Sequence, residues 1–177
     1  LAQRQEALEK YLRPNDHVQL VESFSQIAPL YEAVKEAGLE GVVIKDLNSS
    51  YAIGGKDERW QKKKNYQDLI AVVGGAGFRG QWINSLLLGL YDGEGKLWYI
   101  GSGGTGKLTQ EDWVKLTKAI EPLIQEKSPF VNPPSRRQKV RWLKPCLTVK
   151  VQFTEWLKGN RLRHPSIQAF TQIPPHE

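Results

Sequence analysis

Apolar residues recur along this chain in two rhythms, and the change between them divides it. In the first part Leu8, Tyr11 and Leu12 fall at helical spacing, as do Ile27, Leu30, Tyr31 and Val34; a period of about 3.6 residues gathers such positions on one helix face. Gly38 follows the second group, where a helix can end in a left-handed residue. Between the two helices, residues 17–24 read as a strand. Residues 39–45 form an apolar run that reads as a buried strand, and a loop over 48–59 leads into another strand at 60–64.

From about residue 67 short strands alternate with glycine turns. Residues 68–73 are an expected strand and 74–81 a loop; 86–91 and 96–100 then pair as a hairpin across Asp92-Gly93-Glu94-Gly95. Thr109 and Asp112 have the spacing of a capping box, opening a helix whose inward face is Trp113, Leu116, Ile120 and Ile124, with Pro122 as a kink or stop. A proline-rich basic connection over 128–139 follows. Leu147, Val149, Val151 and Phe153 then alternate with polar neighbours in a strand that turns at Gly159-Asn160. The expected class is α+β: residues 1–66 as the tail of an α+β domain, and 67–177 as a small closed β-barrel of the OB type, because short strands with one intervening helix suggest that architecture.

Composition adds a partner class. The 177 residues are 40% hydrophobic, enough for an ordinary core. A net charge of +6 and a pI near 9.4 suit nucleic acid or nucleotide phosphate. The one cysteine, Cys146, excludes an internal disulfide framework, fits a reducing cytosol, and is expected as a buried structural thiol on a strand. No apolar run approaches the roughly 20 residues of a membrane span, and the start is a charged amphipathic stretch, so no membrane association is expected. There is no methionine, even at position 1, which suggests a fragment of a longer parent.

Two strings carry the candidate chemistry: Glu40-Gly41-Val42-Val43-Ile44-Lys45 and Trp60-Gln61-Lys62-Lys63-Lys64. Charge inside an apolar strand is costly unless it has a partner. In an extended chain Glu40 and Lys45 point to opposite faces, Lys62 and Lys64 share one face, and Lys63 turns to the other, toward solvent or DNA. One carboxylate with several lysines suits a bound polyanion, with a divalent cation linking carboxylate to phosphate. Taken singly, each string also reads as solvated surface.

The glycine-rich residues 101–107 imitate a phosphate-cradling loop, but Leu108 stands where a hydroxyl should follow the lysine, so they read as a flexible strand-to-helix connection. Arg136, Arg137, Lys139, Arg141 and Lys144 form a basic run around Trp142, which could follow a DNA backbone while Trp142 joins the core. Arg79 and Trp82 carry the same two readings. His164 alone reads as a structural histidine.

With Tyr51, Gly54, Gly55, Lys56 and Arg59 between them, the two lysine strings resemble in order the fourth and fifth nucleotidyltransferase motifs of the ATP-dependent DNA ligases, especially the bacterial end-joining type. Stretches 85–91, 99–106, 140–145 and 151–165 look like that family's C-terminal OB domain. The resemblance implies that Glu40 holds Mg2+ or Mn2+ and that Lys45, Lys62 and Lys64 contact the phosphates of ATP, the four forming the catalytic set. Leu162-Arg163-His164-Pro165-Ser166 resembles the opening of the sixth motif, whose arginine, here Arg163, orients the leaving pyrophosphate; Thr171-Gln172-Ile173-Pro174 stands where the family continues with R-x-D-K. Arg79, Arg136, Arg137 and Arg141 are the expected DNA contacts.

The implied activity is three-step nucleotidyl transfer: a lysine takes AMP from ATP, AMP passes to a DNA 5′-phosphate, and a 3′-hydroxyl displaces it. The chain contains neither the family's K-x-D-G string nor its third motif, so it is not expected to adenylate itself. Expected partners are nicked or broken double-stranded DNA and end-joining repair proteins, with a monomer acting in the bacterial cytosol at the nucleoid. Two alternatives stay open: a non-catalytic nucleic-acid-binding protein of ligase ancestry, and an RNA ligase or capping-type nucleotidyltransferase.

Overall fold

The helical spacing at the start of the chain becomes two helices, α1 (Ala2–Tyr11) and α2 (Ile27–Glu36). The structure is a computed structural model that describes residues 1–55, 58–104, 106–135 and 139–175. It contains two compact units, Leu1–Asn65 and Tyr66–Glu177.

In the first unit α2 ends as its sequence suggests, with Gly38 at φ 66° just beyond the last turn. Neither helix has a fully buried residue. The strand expected over 17–24 does not form. A single bridge joins Asn15 to Val18, and the Asn15 side-chain oxygen accepts from the amides of His17 and Val18. An asparagine that satisfies the backbone locally competes with extended pairing, and Val21 and Phe24 stay exposed. Among the described residues the unit's sheet is an antiparallel pair, β1 (Gly41–Lys45) and β2 (Trp60–Lys64). The strand expected to be buried is only half-covered, with Val43 exposed.

The second unit is built on β3 (Gln67–Arg79), β4 (Trp82–Tyr91), β5 (Leu97–Gly103), α3 (Gln110–Ala119), the two-residue β6 (Ile124–Gln125), β7 (Lys139–Phe153), β8 (Glu155–Leu157), β9 (Arg161–Arg163) and β10 (Ser166–Thr171). The main sheet runs β10-β7-β3-β4-β5 with β6 on β7, and β8 pairs β9 separately. The expected OB-type closed barrel is not what forms. Among the described residues the outer strands β10 and β5 meet at an isolated parallel bridge between Gly104 and Ser166, with no ladder that closes the sheet. Closure needs the first and last strands to pair along their length. Here the chain leaves β5 at once for α3: Lys107 N–H donates to the Ile167 carbonyl, and a side chain at Gly106 would collide with that carbonyl.

The glycines at 74–77 do not make a loop. β3 passes straight through them, and they serve close approach. A Cβ on Gly74 would strike the ring tip of Phe130, and one on Gly89 would lie 2.7 Å from the same ring. Phe130 therefore sits in a notch cut by two glycines, edge-on to Tyr99 and Trp142 at 5.5 and 6.1 Å. Opposite Gly74 the long strand β7 makes an excursion: Leu147 pairs with Val73 and Trp142 with Gly75, leaving 143–146 against one residue. Cys146 lies on that excursion and is exposed, where burial was expected.

Core side chains occupy both faces of the sheet. Val73, Leu86, Leu88, Val149 and Val151 pack with Trp113 and Leu116 of α3 and with Ile120 just after it on one face. Val72, Leu87, Leu97 and Trp142 lie with Phe130 on the other, so Trp142 is core as expected. The capping box forms, with the Thr109 hydroxyl accepting from Asp112 N–H and the Asp112 carboxylate from Thr109 N–H at 2.8 Å. Ile124 departs from the expected inward face because α3 ends at Ala119 and a 3-10 turn at Glu121–Leu123, with Pro122 inside it, hands Ile124 to β6.

Candidate functional site

The antiparallel register of β1 and β2 sets the geometry. Lys45 lies opposite Trp60, Val43 opposite Lys62, and Gly41 opposite Lys64. Directly opposed residues share a face, and residues two apart along a strand share it too. Lys45, Lys62, Lys64 and Trp60 therefore project from one face, while Val42, Ile44, Gln61 and Lys63 project from the other.

Simple alternation would send Glu40 to the wrong face. It lies one residue before β1, and Gly41 interrupts the alternation with φ 143°. The Glu40 carboxylate reaches Lys64 Nζ at 3.6 Å, joining the lysine face at its far end. Only glycine serves at 41, since a Cβ there would collide with the Lys63 carbonyl oxygen and approach Lys64 Cα at 2.8 Å. The Glu40 carbonyl also accepts from Asn65 N–H at 2.7 Å, extending the pairing past the ladder.

The other end is organised by Trp60. Lys45 Nζ lies 4.7 Å from the centre of its ring, and its indole N–H donates to the buried Ser49 hydroxyl at 3.3 Å. A cation over an indole face is held by the ring quadrupole. Ile44, Lys45, Asp46, Glu58, Arg59 and Gln61 line an open depression of about 490 Å3 at this end. Lys63, expected in solvent or on DNA, instead lies 3.9 Å from the ring centre of Tyr31. Sequence reading missed Trp60 and Tyr31 as partners of these lysines; lysine and aromatic residues directly opposed in a strand pair were the available signal for Trp60.

Among the described residues no three His, Cys, Asp or Glu side chains gather to hold a metal. Glu40 is a lone carboxylate beside lysines. That donor set fits a magnesium-type ion held by one carboxylate plus substrate phosphates and water, not an all-protein cage.

In the second unit Arg163 is paired with Glu155 directly across the β8–β9 ladder. His164 adopts φ 52° and is exposed. Arg141 lies 4.9 Å over the Phe78 ring, and Arg79 stands opposite Trp82 at the β3–β4 turn. Because 78 and 79 alternate, Arg141 and Arg79 leave opposite faces of this sheet corner. Arg136 and Arg137 lie outside the described residues. The glycine run expected as a flexible connection is partly β5 strand, and Gly106 is seated against Ile167. No helix among the described residues is long and apolar enough to cross a membrane.

Comparison with known proteins follows this division. A family described as ATP dependent DNA ligase C terminal region matches residues 79–172, and one described as ATP dependent DNA ligase domain matches residues 1–64. The chain is 34% identical over 145 residues to the multifunctional non-homologous end joining DNA repair protein LigD of Mycobacterium tuberculosis, covering 78% of this chain and 19% of that protein. It is 33% identical over 135 residues to a DNA ligase of Archaeoglobus fulgidus, covering 70% of this chain and 24% of that one. The crystal structure of the ligase domain from M. tuberculosis LigD superposes with a TM-score of 0.59 at 30% identity, over 85% of this chain and 50% of that one. A mycobacterial DNA ligase D complexed with ATP and MES gives 0.57 at 30% identity, with the same coverage. The chain thus spans about a fifth of the LigD protein's length. It belongs to the ATP-dependent DNA ligase family.

Proposed function

We propose that this chain works as part of an ATP-dependent DNA ligase that seals nicked or broken double-stranded DNA through enzyme-AMP and DNA-adenylate intermediates. Residues 1–66 are the C-terminal part of its nucleotidyltransferase domain, and 67–177 engage DNA. The observation that carries this reading is the single face shared by Lys45, Lys62 and Lys64, with Glu40 brought to its end by Gly41. The mycobacterial ligase seen with ATP supports the nucleotide.

In this reading the three ammonium groups contact the phosphates of ATP as point charges. Glu40 would hold Mg2+ or Mn2+ in place of Lys64, and the ion would supply charge neutralisation at the transferring phosphoryl group. Releasing Lys64 costs little, because exposed ion pairs contribute about 0–1 kcal/mol. Lys45 leaves the Trp60 ring for phosphate, so the aromatic face holds it near the nucleotide beforehand. Arg163 turns from Glu155 to orient the leaving pyrophosphate. Arg141, over the Phe78 ring, follows a DNA backbone with Arg136 and Arg137, and Arg79, leaving the opposite face, contacts DNA separately. The protein acts as a monomer in the bacterial cytosol, at the nucleoid, beside end-joining repair proteins.

The test is labelling and sealing. With ATP and magnesium, this chain forms no stable AMP adduct, since it contains no K-x-D-G string. Joined to a segment that carries that string, it takes up AMP and seals nicked DNA in preference to nicked RNA. An adduct on the chain alone would refute the assigned division of labour, and a preference for nicked RNA would refute the substrate.

A further inference from the structure

Tyr31 occupies an inward position of α2, where spacing alone makes it one more packing residue beside Ile27, Leu30 and Val34. Its two polar contacts say otherwise. The ring takes the Lys63 ammonium at 3.9 Å from its centre, and the phenol hydroxyl donates to the backbone carbonyl of Lys64 at 3.3 Å. Both bear on β2 from the face opposite the proposed phosphate site.

We infer that Tyr31 is a positioning residue that sorts the three consecutive lysines of β2, holding Lys63 away from the phosphate face and fixing the backbone from which Lys64 points toward it. The inference rests on the phosphate-binding reading of that face and deepens it. Three ammonium groups in a row repel one another, and an untethered Lys63 competes with Lys62 and Lys64 for a bound polyanion. A ring facing the middle ammonium removes that competition. The hydroxyl acts separately. Among the described residues β2 pairs with β1 alone, and Lys64 ends its ladder opposite Gly41, so the Tyr31 bond anchors the strand where Glu40 and Lys64 meet. Strand alternation places Lys62 and Lys64 on one face, and Tyr31 keeps that alternation from being undone by rotation at the strand's end. Its contacts with the Lys63 ammonium and the Lys64 carbonyl make it act through β2.

The full chain is titrated calorimetrically with magnesium tripolyphosphate, and the side-chain methylene signals of Lys63 are followed by NMR. In the unaltered chain ring current from Tyr31 shifts those signals upfield. Tyr31→Phe retains this shift but weakens tripolyphosphate about three- to fivefold, the effect of one hydrogen bond. Tyr31→Leu abolishes the shift and weakens binding about tenfold, as expected for losing a hydrogen bond and a cation–ring contact together. Lys63→Gln leaves the affinity unchanged in the Tyr31 chain and alters it in the Tyr31→Leu chain, a non-additivity that simple packing loss does not produce. Circular dichroism confirms that each variant folds. Unchanged affinity in both folded Tyr31 variants, or additive behaviour of Tyr31→Leu with Lys63→Gln, would overturn the inference. A normal Lys63 shift with no tripolyphosphate binding by the unaltered chain would overturn the phosphate reading itself and the inference with it.

Discussion

The second unit buries Leu86, Leu88, Leu143 and Ile167 almost completely, whereas the first buries no apolar side chain among its described residues and leaves Val21 and Ile53 86% and 91% exposed. The second is held by two core clusters, one on each face of a five-strand path, the first, among its described residues, by a strand pair, cation–aromatic contacts such as those of Trp60 and Tyr31, and a few polar ties. Regions with few buried apolar contacts open at lower free energy than a packed core. The lysine face that carries the proposed chemistry thus lies in the lightly packed unit. Its geometry depends on specific residues such as Gly41, Tyr31 and Trp60 more than on bulk burial.

The largest effect should come from the packed side. Phe130→Ala empties the notch between Gly74 and Gly89 and is expected to lower stability of the second unit by about 3–5 kcal/mol, read by denaturant unfolding. Tripolyphosphate affinity should not follow it. If it does, the two units do not behave as differently as their packing implies. Next, Lys62→Ala or Lys64→Ala in the sealing protein should depress sealing about ten- to a hundredfold, the scale of a lost hydrogen bond to a charged group. Lys63→Ala should cost far less, and equal losses for all three would remove the strand-face argument.

Gly41→Ala forces a side chain into a positive-φ position against the Lys63 carbonyl. Strain of about 1–3 kcal/mol is expected there. The readout is loss of the Glu40–Lys64 pairing and weaker tripolyphosphate binding, with unfolding of the second unit unchanged. The smallest effect concerns acid. The Trp98 indole N–H, together with the Lys96 and Glu94 amides, holds the Asp92 carboxyl below its usual value, and the Thr109 amide and hydroxyl do the same for Asp112. Folded values below unfolded ones mean that this stability is fully present above the unfolded carboxylate pKa of about 4 and lost as pH falls through the lower folded values. Asp112→Asn should therefore flatten the acid limb of the second unit's unfolding curve slightly; an unchanged limb would show that the cap adds nothing there.

Periodicity made much of the fold legible. The helices, the strands β1 and β2, the Asp92 hairpin and the Thr109 cap are local, and local spacing determines them; that β1 pairs with β2 was not read. The misses are non-local. Residues 74–81 read as a loop because glycine usually marks turns, yet Gly74 and Gly75 answer to Phe130 and Trp142, which approach from more than fifty residues away. Residues 17–24 have strand composition, but pairing depends on a neighbour that no local pattern supplies. Barrel closure likewise depends on whether β5 and β10 pair along their length, which strand count does not decide. Within the candidate site, alternation sorted Lys62, Lys63 and Lys64 correctly into faces. It could not place Glu40, whose side is set by the unusual φ of Gly41.

The most direct test is to follow the resolved side-chain signals of Lys45, Lys62, Lys63 and Lys64 by NMR while Mg-ATP is added to the chain. Lys45, Lys62 and Lys64 should shift together along one saturation curve, with Lys63 still. Movement of Lys63 with the others, or no common curve for the three, would contradict a shared phosphate face.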